Sequence, residues 1–191
     1  RSRGLGDVYK RQPQSAAGRT IMTTEPKFVP EQAVSIDLED GASFRTRLID
    51  CVGYLIPGAV GQLEDDLPRM VHTPWFPEEI PMAEAAEIGT RKVIAEHSTI
   101  GIVVTTDGSI TDIPREDYLE AEERVIAELK ELGKPFLVVL NSSYPNSDRA
   151  QAIRADIASR YDVTCVCADC LELDEAAVTA LLDGLDIELK Y

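Results

Sequence analysis

The second half of the chain alternates short apolar runs with amphipathic stretches, and that alternation leaves few folds open. Thr99 to Thr105 (Thr-Ile-Gly-Ile-Val-Val-Thr), Phe136 to Leu140 and Val163 to Ala168 are almost uninterrupted apolar runs. Such runs read as strands buried on both faces. Between them the period becomes helical. Met82, Ala86, Gly89 and Val93 mark one helix from Met82 to His97, with Glu87 and Arg91 four residues apart. Tyr118, Ala121, Val125, Leu129 and Leu132 mark a second from Asp117 to Leu132, which Gly133 ends before Pro135. Ser147 to Tyr161 is a third, and Asp174 to Leu182 a short last one. The pattern predicts the α/β class: a three-layer sandwich whose sheet is mostly parallel and covered on both faces.

The first half is less regular. Pro13 to Pro30 is small, polar and broken by Pro and Gly, which predicts a loop. Val34, Ile36 and Leu38 then alternate with polar residues, Asp40-Gly41 is a hairpin signal, and a return strand runs from Phe44 to Ile49. This hairpin is expected to add one antiparallel edge to the parallel sheet. Gly53 to Pro81, rich in Gly and Pro, reads as a long irregular loop of the kind that is functional or mobile. Residues 1–12 differ from the rest: they are basic and without period. Asp7-Val8-Tyr9-Lys10-Arg11-Gln12 resembles a translated sequencing adaptor, so this head is expected to be foreign, with the native segment spanning residues 13–191.

Charge narrows the partners. Asp and Glu number 34 against 19 Lys and Arg, a net charge of −15. A nucleic-acid binder needs the opposite balance to neutralise phosphate. Anionic lipid is disfavoured for the same reason. No apolar run approaches the roughly 20 residues that span a bilayer. Cys165-x-Cys167-x-x-Cys170 superficially suggests a metal site, but no further Cys or His cluster completes four ligands, and His72 and His97 are scattered. The run reads as a buried strand carrying reduced thiols, which implies a cytoplasmic chain.

One segment carries chemistry. Arg47-Leu48-Ile49 runs into Asp50-Cys51-Val52-Gly53, and an apolar strand followed by Asp-x-x-Gly is the phosphate-side motif of P-loop nucleotidases. The carboxylate stands at a strand's carboxyl end, where open α/β sheets bind ligands, and can hold Mg²⁺ directly or through water. Gly53 lets the backbone approach a terminal phosphate. Alone, the motif is better described as a strand-end Asp before a turn Gly. The order of Thr-bearing loop, two strands and Asp-x-x-Gly favours the nucleotide reading, with Thr23 or Thr24 completing the metal shell. Two standard parts are absent: a Gly-x-x-x-x-Gly-Lys-Ser/Thr loop and the guanine-reading Asn-Lys-x-Asp. After the Phe136–Leu140 strand stands Asn141-Ser142-Ser143-Tyr144, with no carboxylate for the guanine amino group, so ATP replaces GTP as the expected nucleotide. Glu64-Asp65-Asp66 reads as a solvated face. Trp75 and Phe76 read as loop packing, His97 as a helix-end group, Arg69 as a lesser phosphate candidate, and Thr106-Asp107-Gly108 as a plain turn.

Several strings resemble the stage IV sporulation protein A family, the spore-coat morphogenetic ATPases of endospore-forming Firmicutes. They are residues 13–30, Leu-Ile-Asp-Cys-Val-Gly-Tyr (48–54), Thr-Pro-Trp-Phe (73–76), residues 84–94 and Glu-His-Ser-Thr-Ile-Gly (96–101). The resemblance is strong from Pro13 to about Asn141 and weaker beyond. It implies a GTPase-like P-loop NTPase fold that has turned to ATP. By position, Thr23 and Thr24 fall on the sensor threonines, Asp50 on the Walker B aspartate and Gly53 on the phosphate-side glycine. Asn141 falls at the nucleotide-base position. The family's P-loop strand, its Lys and its first helix would precede Pro13, so residues 13–191 are expected to be an incomplete ATPase domain, inactive and unstable alone. In the family, hydrolysis drives self-polymerisation into a platform on the outer forespore surface in the mother cell. Coat proteins and a small membrane-anchoring amphipathic peptide are the implied partners, held by C-terminal regions outside this chain. A non-catalytic structural module of the coat, or a GTPase relative, are the alternatives.

Overall fold

Alternating side chains and the Asp-Gly signal predict the first hairpin, and the computed structural model contains it. The structure describes residues 27–37, 43–59, 63–64, 66–73, 75–174, 177–179, 181 and 184. Strand β1 (Lys27–Asp37) pairs antiparallel with β2 (Ser43–Asp50), with Ile36 opposite Phe44 and Asp37 opposite Ser43. The Asp40-Gly41 turn lies outside the described residues. β1 starts earlier than its alternation predicts. Lys27, Phe28 and Val29 pair with Asp50, Ile49 and Leu48, where the Pro content predicts a loop. The register shifts between Val29 and Val34, which takes Pro30 off the ladder it cannot donate to. Among the described residues the hairpin is a two-stranded sheet of its own, not an edge of the parallel sheet.

The Gly/Pro-rich stretch is also more ordered than a loop. Strand β3 (Leu63–Glu64) pairs with β4 (Leu67–Pro68), and β5 (Met70–Thr73) with β6 (Phe76–Pro81), Val71 facing Ile80. These pairs are two-stranded, so each Pro has an open edge on which to sit. Helix α1 (Met82–Lys92) follows, burying Met82, Ala85, Ala86, Gly89 and Thr90. Its end widens into a π-helical turn over Val93–His97, closed by Ser98 N–H donating to the Val93 carbonyl at 2.9 Å. Lys92 Nζ lies 5.8 Å from the centroid of Trp75, a cation–π contact that holds the loop aromatic as the sequence predicts. Phe76 stays 42% exposed and does not share that role. Among described residues, these elements form one compact unit over 27–55 and 63–98.

A second unit comprises the described residues from 99 onward with 56–59. Its sheet is parallel in the order β7 (Gly101–Thr106), β8 (Phe136–Asn141), β9 (Cys165–Ala168), with Val103 facing Val138 and Val138 facing Cys165. β8 has neighbours on both sides, and Phe136 to Leu140 are all buried. β7 departs from its prediction. Ile102 is 41% and Val104 61% exposed, because β7 has only one strand neighbour among the described residues and that face lacks cover.

Helix α2 (Leu119–Glu131), entered through a 3₁₀ turn at Arg115–Tyr118, packs on β7. Gly101 makes this close: a Cβ there would meet both Leu129 and Phe136 at 3.0 Å. Gly133 stops the helix as predicted, at φ +62°, with its N–H on the Lys130 carbonyl and Lys134 N–H on that of Leu129, both 3.0 Å. Helix α3 (Asp148–Tyr161) packs on β9, and the Ser147 side chain caps it by accepting from Ala150 N–H. Leu137, Val139 and Ala168 form one core face, with Cys170 and Leu181 against it. Burial pushes the Cys165 thiol up to about 12, in keeping with a reduced, packing role. Residues 1–26, Thr23 and Thr24 among them, lie outside the described residues, and the last predicted helix is described only in part.

Candidate functional site

Asp50 closes β2 opposite Lys27, and its side chain is exposed. The chain then leaves the ladder through Cys51 and Val52 and turns at Gly53, whose φ is +79°. That conformation costs a residue with a Cβ roughly 1–2 kcal/mol, which accounts for glycine here. Space is not the constraint, since a Cβ at Gly53 would meet nothing within 4 Å. An exposed carboxylate at a strand end beside an open glycine turn fits a hydrated divalent cation carrying a phosphate. Among the described residues no three His, Cys, Asp or Glu converge as a metal cage. One carboxylate with water and phosphate oxygens is the usual set for magnesium. The turn is held from α1: the buried Thr90 hydroxyl donates to the Gly53 carbonyl at 3.2 Å.

A second cluster occupies the carboxyl ends of β7 and β8, where parallel sheets take ligands. Asp107, 3% exposed, accepts at Oδ1 from Ser109 N–H (2.9 Å) and Ser109 Oγ (2.5 Å), and at Oδ2 from Ser142 Oγ (2.7 Å). Ser142 Oγ in turn accepts from Tyr144 N–H, and Ser109 Oγ from Ser143 N–H. The plain turn at Thr106-Asp107-Gly108 is there, but its carboxylate also stitches the loop after β7 to the loop after β8. Asn141 Oδ1 accepts from Cys170 N–H at 3.0 Å, tying in the loop after β9. An N–H donor fixes which end of that amide is oxygen, so the Asn141 NH₂ group faces the other way as a donor.

Burial raises the Asp107 carboxyl, but the Ser109 and Ser142 bonds and the Arg149 charge outweigh it and leave it below the ordinary carboxylate range. A carboxyl lowered by folding stabilises the fold above its unfolded pKa, and that stability is lost as pH falls through the folded value. Asp107→Asn is therefore expected to lower stability at pH 7 by about 1.5–3 kcal/mol, and the gap from the parent should close as pH falls through the lowered carboxyl pKa, below the ordinary carboxylate range. Urea midpoints across pH measure this; a gap independent of pH would exclude the charge as its origin.

Of the sequence-predicted residues, Asp50 and Gly53 lie in one unit and Asn141 in the other. Thr23 and Thr24 lie outside the described residues. Sequence reasoning missed Thr90 and Ser142 altogether. Asp107 had a signal, a carboxylate directly after an apolar run, as Asp50 has.

Residues 7–189 match the family described as Stage IV sporulation protein A, ATPase domain. The chain is 57% identical over 170 residues to stage IV sporulation protein A of Bacillus subtilis (strain 168), covering 89% of this chain and 35% of that protein. It is 56% identical to that of Bacillus anthracis over the same shares. With that of Clostridioides difficile (strain 630) it shares 48% identity over 173 residues, 91% of this chain. It thus spans about a third of the length of these relatives. A match over nearly the whole chain, with an Asp-x-x-Gly turn at a strand's carboxyl end, leads to one assignment: the chain belongs to the stage IV sporulation protein A family, within its ATPase domain.

Proposed function

We propose that the protein carrying this segment hydrolyses ATP with Mg²⁺ and uses hydrolysis to drive its own polymerisation into a platform on the forespore surface during sporulation. The observation that carries the reading is the ATPase-domain match falling on a chain whose Asp50 is exposed at the end of β2 with Gly53 at positive φ beyond it. Asp50 and Thr24, or Thr23, hold the metal shell. Gly53 presents backbone to the terminal phosphate. Asn141 offers its NH₂ group to a ring nitrogen of the base, and the absence of a carboxylate over Asn141–Tyr144 favours adenine. Bound Mg-ATP supplies the phosphoanhydride and neutralises its charge; the chain supplies position. The parent fold is a GTPase-like P-loop sandwich, and the one-sided β7 with exposed Ile102 and Val104 is what supports a further strand beside it. Coat proteins and a small membrane-anchoring amphipathic peptide are the partners, in the mother-cell cytoplasm. The net charge of −15 gives this segment no lipid affinity of its own, and no described helix is long and apolar enough to cross a membrane.

The test uses the full-length protein. Phosphate release is expected with ATP at a kcat/KM at least tenfold above that with GTP, and sedimentable polymer is expected only after ATP is added. Equal use of both nucleotides overturns the base assignment. Polymer formed equally well without nucleotide overturns the coupling.

A further inference from the structure

Asp50 and Gly53 do not stand alone, and what supports them comes from a different element. Thr90 lies on α1, is 2% exposed, and sends its hydroxyl 37 residues back along the sequence to the Gly53 carbonyl, 3.2 Å away. A buried hydroxyl that makes one such bond orients its partner, because the hydroxyl would otherwise be left dry and unpaired. The turn has no Cβ contacts of its own to hold it, since the space around Gly53 is open. Its conformation is set from outside.

We propose that Thr90 is the positioning residue for the phosphate side of this site: its hydroxyl clamps the Gly53 carbonyl and so fixes the orientation of the Gly53–Tyr54 peptide in the turn beyond Asp50. The proposal rests on the nucleotide-hydrolysis reading for its catalytic consequence, and on the Thr90–Gly53 bond alone for its structural one. Thr90 does not touch a reacting group. It acts through Gly53, so its loss lowers turnover more than affinity. Threonine and valine have the same shape, so Thr90→Val deletes the bond and keeps the packing of α1, whereas Thr90→Ser keeps the hydroxyl and loses a methyl.

The experiment uses the full-length protein in two arms. Without nucleotide, amide hydrogen exchange is read at Gly53 and Tyr54. Thr90→Val should speed it at least fivefold and Thr90→Ser by less than twofold. With ATP, Thr90→Val should lower kcat at least fivefold with KM within twofold of the parent, and Thr90→Ser should restore kcat to within twofold. Unchanged exchange in Thr90→Val overturns the clamp. Faster exchange with unchanged kcat overturns the positioning role. Equal losses in Val and Ser variants also overturn it, because packing alone would then be responsible. If the parent itself fails to hydrolyse ATP, the hydrolysis reading and the catalytic role fall together, and the exchange arm still decides the clamp.

Discussion

Asp50→Ala in the full-length protein is expected to slow ATP hydrolysis at least tenfold, a loss of about 1.4 kcal/mol or more of transition-state stabilisation. Thr24→Ala is expected to do the same. The two test different links. Asp50 has its place in the structure, exposed at the end of β2, so truncating it removes no buried contact. Substitutions of that kind usually change stability by no more than about 0.5 kcal/mol. A fall in steady-state phosphate release with an unchanged melting transition would then belong to the chemistry. Thr24 lies outside the described residues, and its role rests on its position in the family's sensor pair. Unchanged turnover in both variants would sink the site assignment. Loss in Asp50→Ala alone would move the metal-completing hydroxyl to Thr23, which Thr23→Ala checks directly.

Glu122→Ala should be the most damaging single substitution for folding outside the site. Arg115, at the 3₁₀ turn before α2, reaches Glu122 on α2 through Nη1–Oε2 at 2.6 Å and Nη2–Oε1 at 2.8 Å. Arg115 Nη1 also donates to Thr105 Oγ1 on β7 at 2.8 Å. Glu122 is 3% and Arg115 9% exposed, so removing the carboxylate leaves a guanidinium charge buried without its partner. Breaking such a pair costs about 3–5 kcal/mol, a large part of the roughly 5–15 kcal/mol that holds a domain together. Denaturant unfolding of Glu122→Ala should show that loss. The pair as a whole adds less than its breakage suggests, because two charges had to leave water to form it. Arg115→Met combined with Glu122→Leu should therefore recover most of the loss. A double variant as unstable as the single one would mean that the pair is itself strongly stabilising.

Much of the second unit was legible along the chain. β8, the helices and the Gly133 stop follow from apolar runs, helical period and the left-handed preference of glycine, which are properties of neighbours in sequence. The Asp50-Cys51-Val52-Gly53 turn was legible for the same reason. The hairpin's two strands were legible too, but neither their register nor their place in the molecule was. Alternation states that a strand has a preferred face; it does not state which element covers that face or which strand lies beside it. For that reason β7 reads as buried on both sides, yet it exposes Ile102 and Val104. The Gly/Pro stretch likewise reads as loop, yet it holds paired strands.

By itself the sequence determined the α/β pattern, the Asp-x-x-Gly turn, the family resemblance and the net acidity. Only the tertiary structure decided what holds the site residues in place. The Thr90–Gly53 bond joins residues 37 apart, Asp107–Ser142 joins residues 35 apart, and Asn141–Cys170 joins residues 29 apart. Each partner is an ordinary turn, strand or helix residue in its own neighbourhood. Its meaning arises when folding buries the pair together, because a buried polar group must find a partner and the fold alone determines which one is within reach.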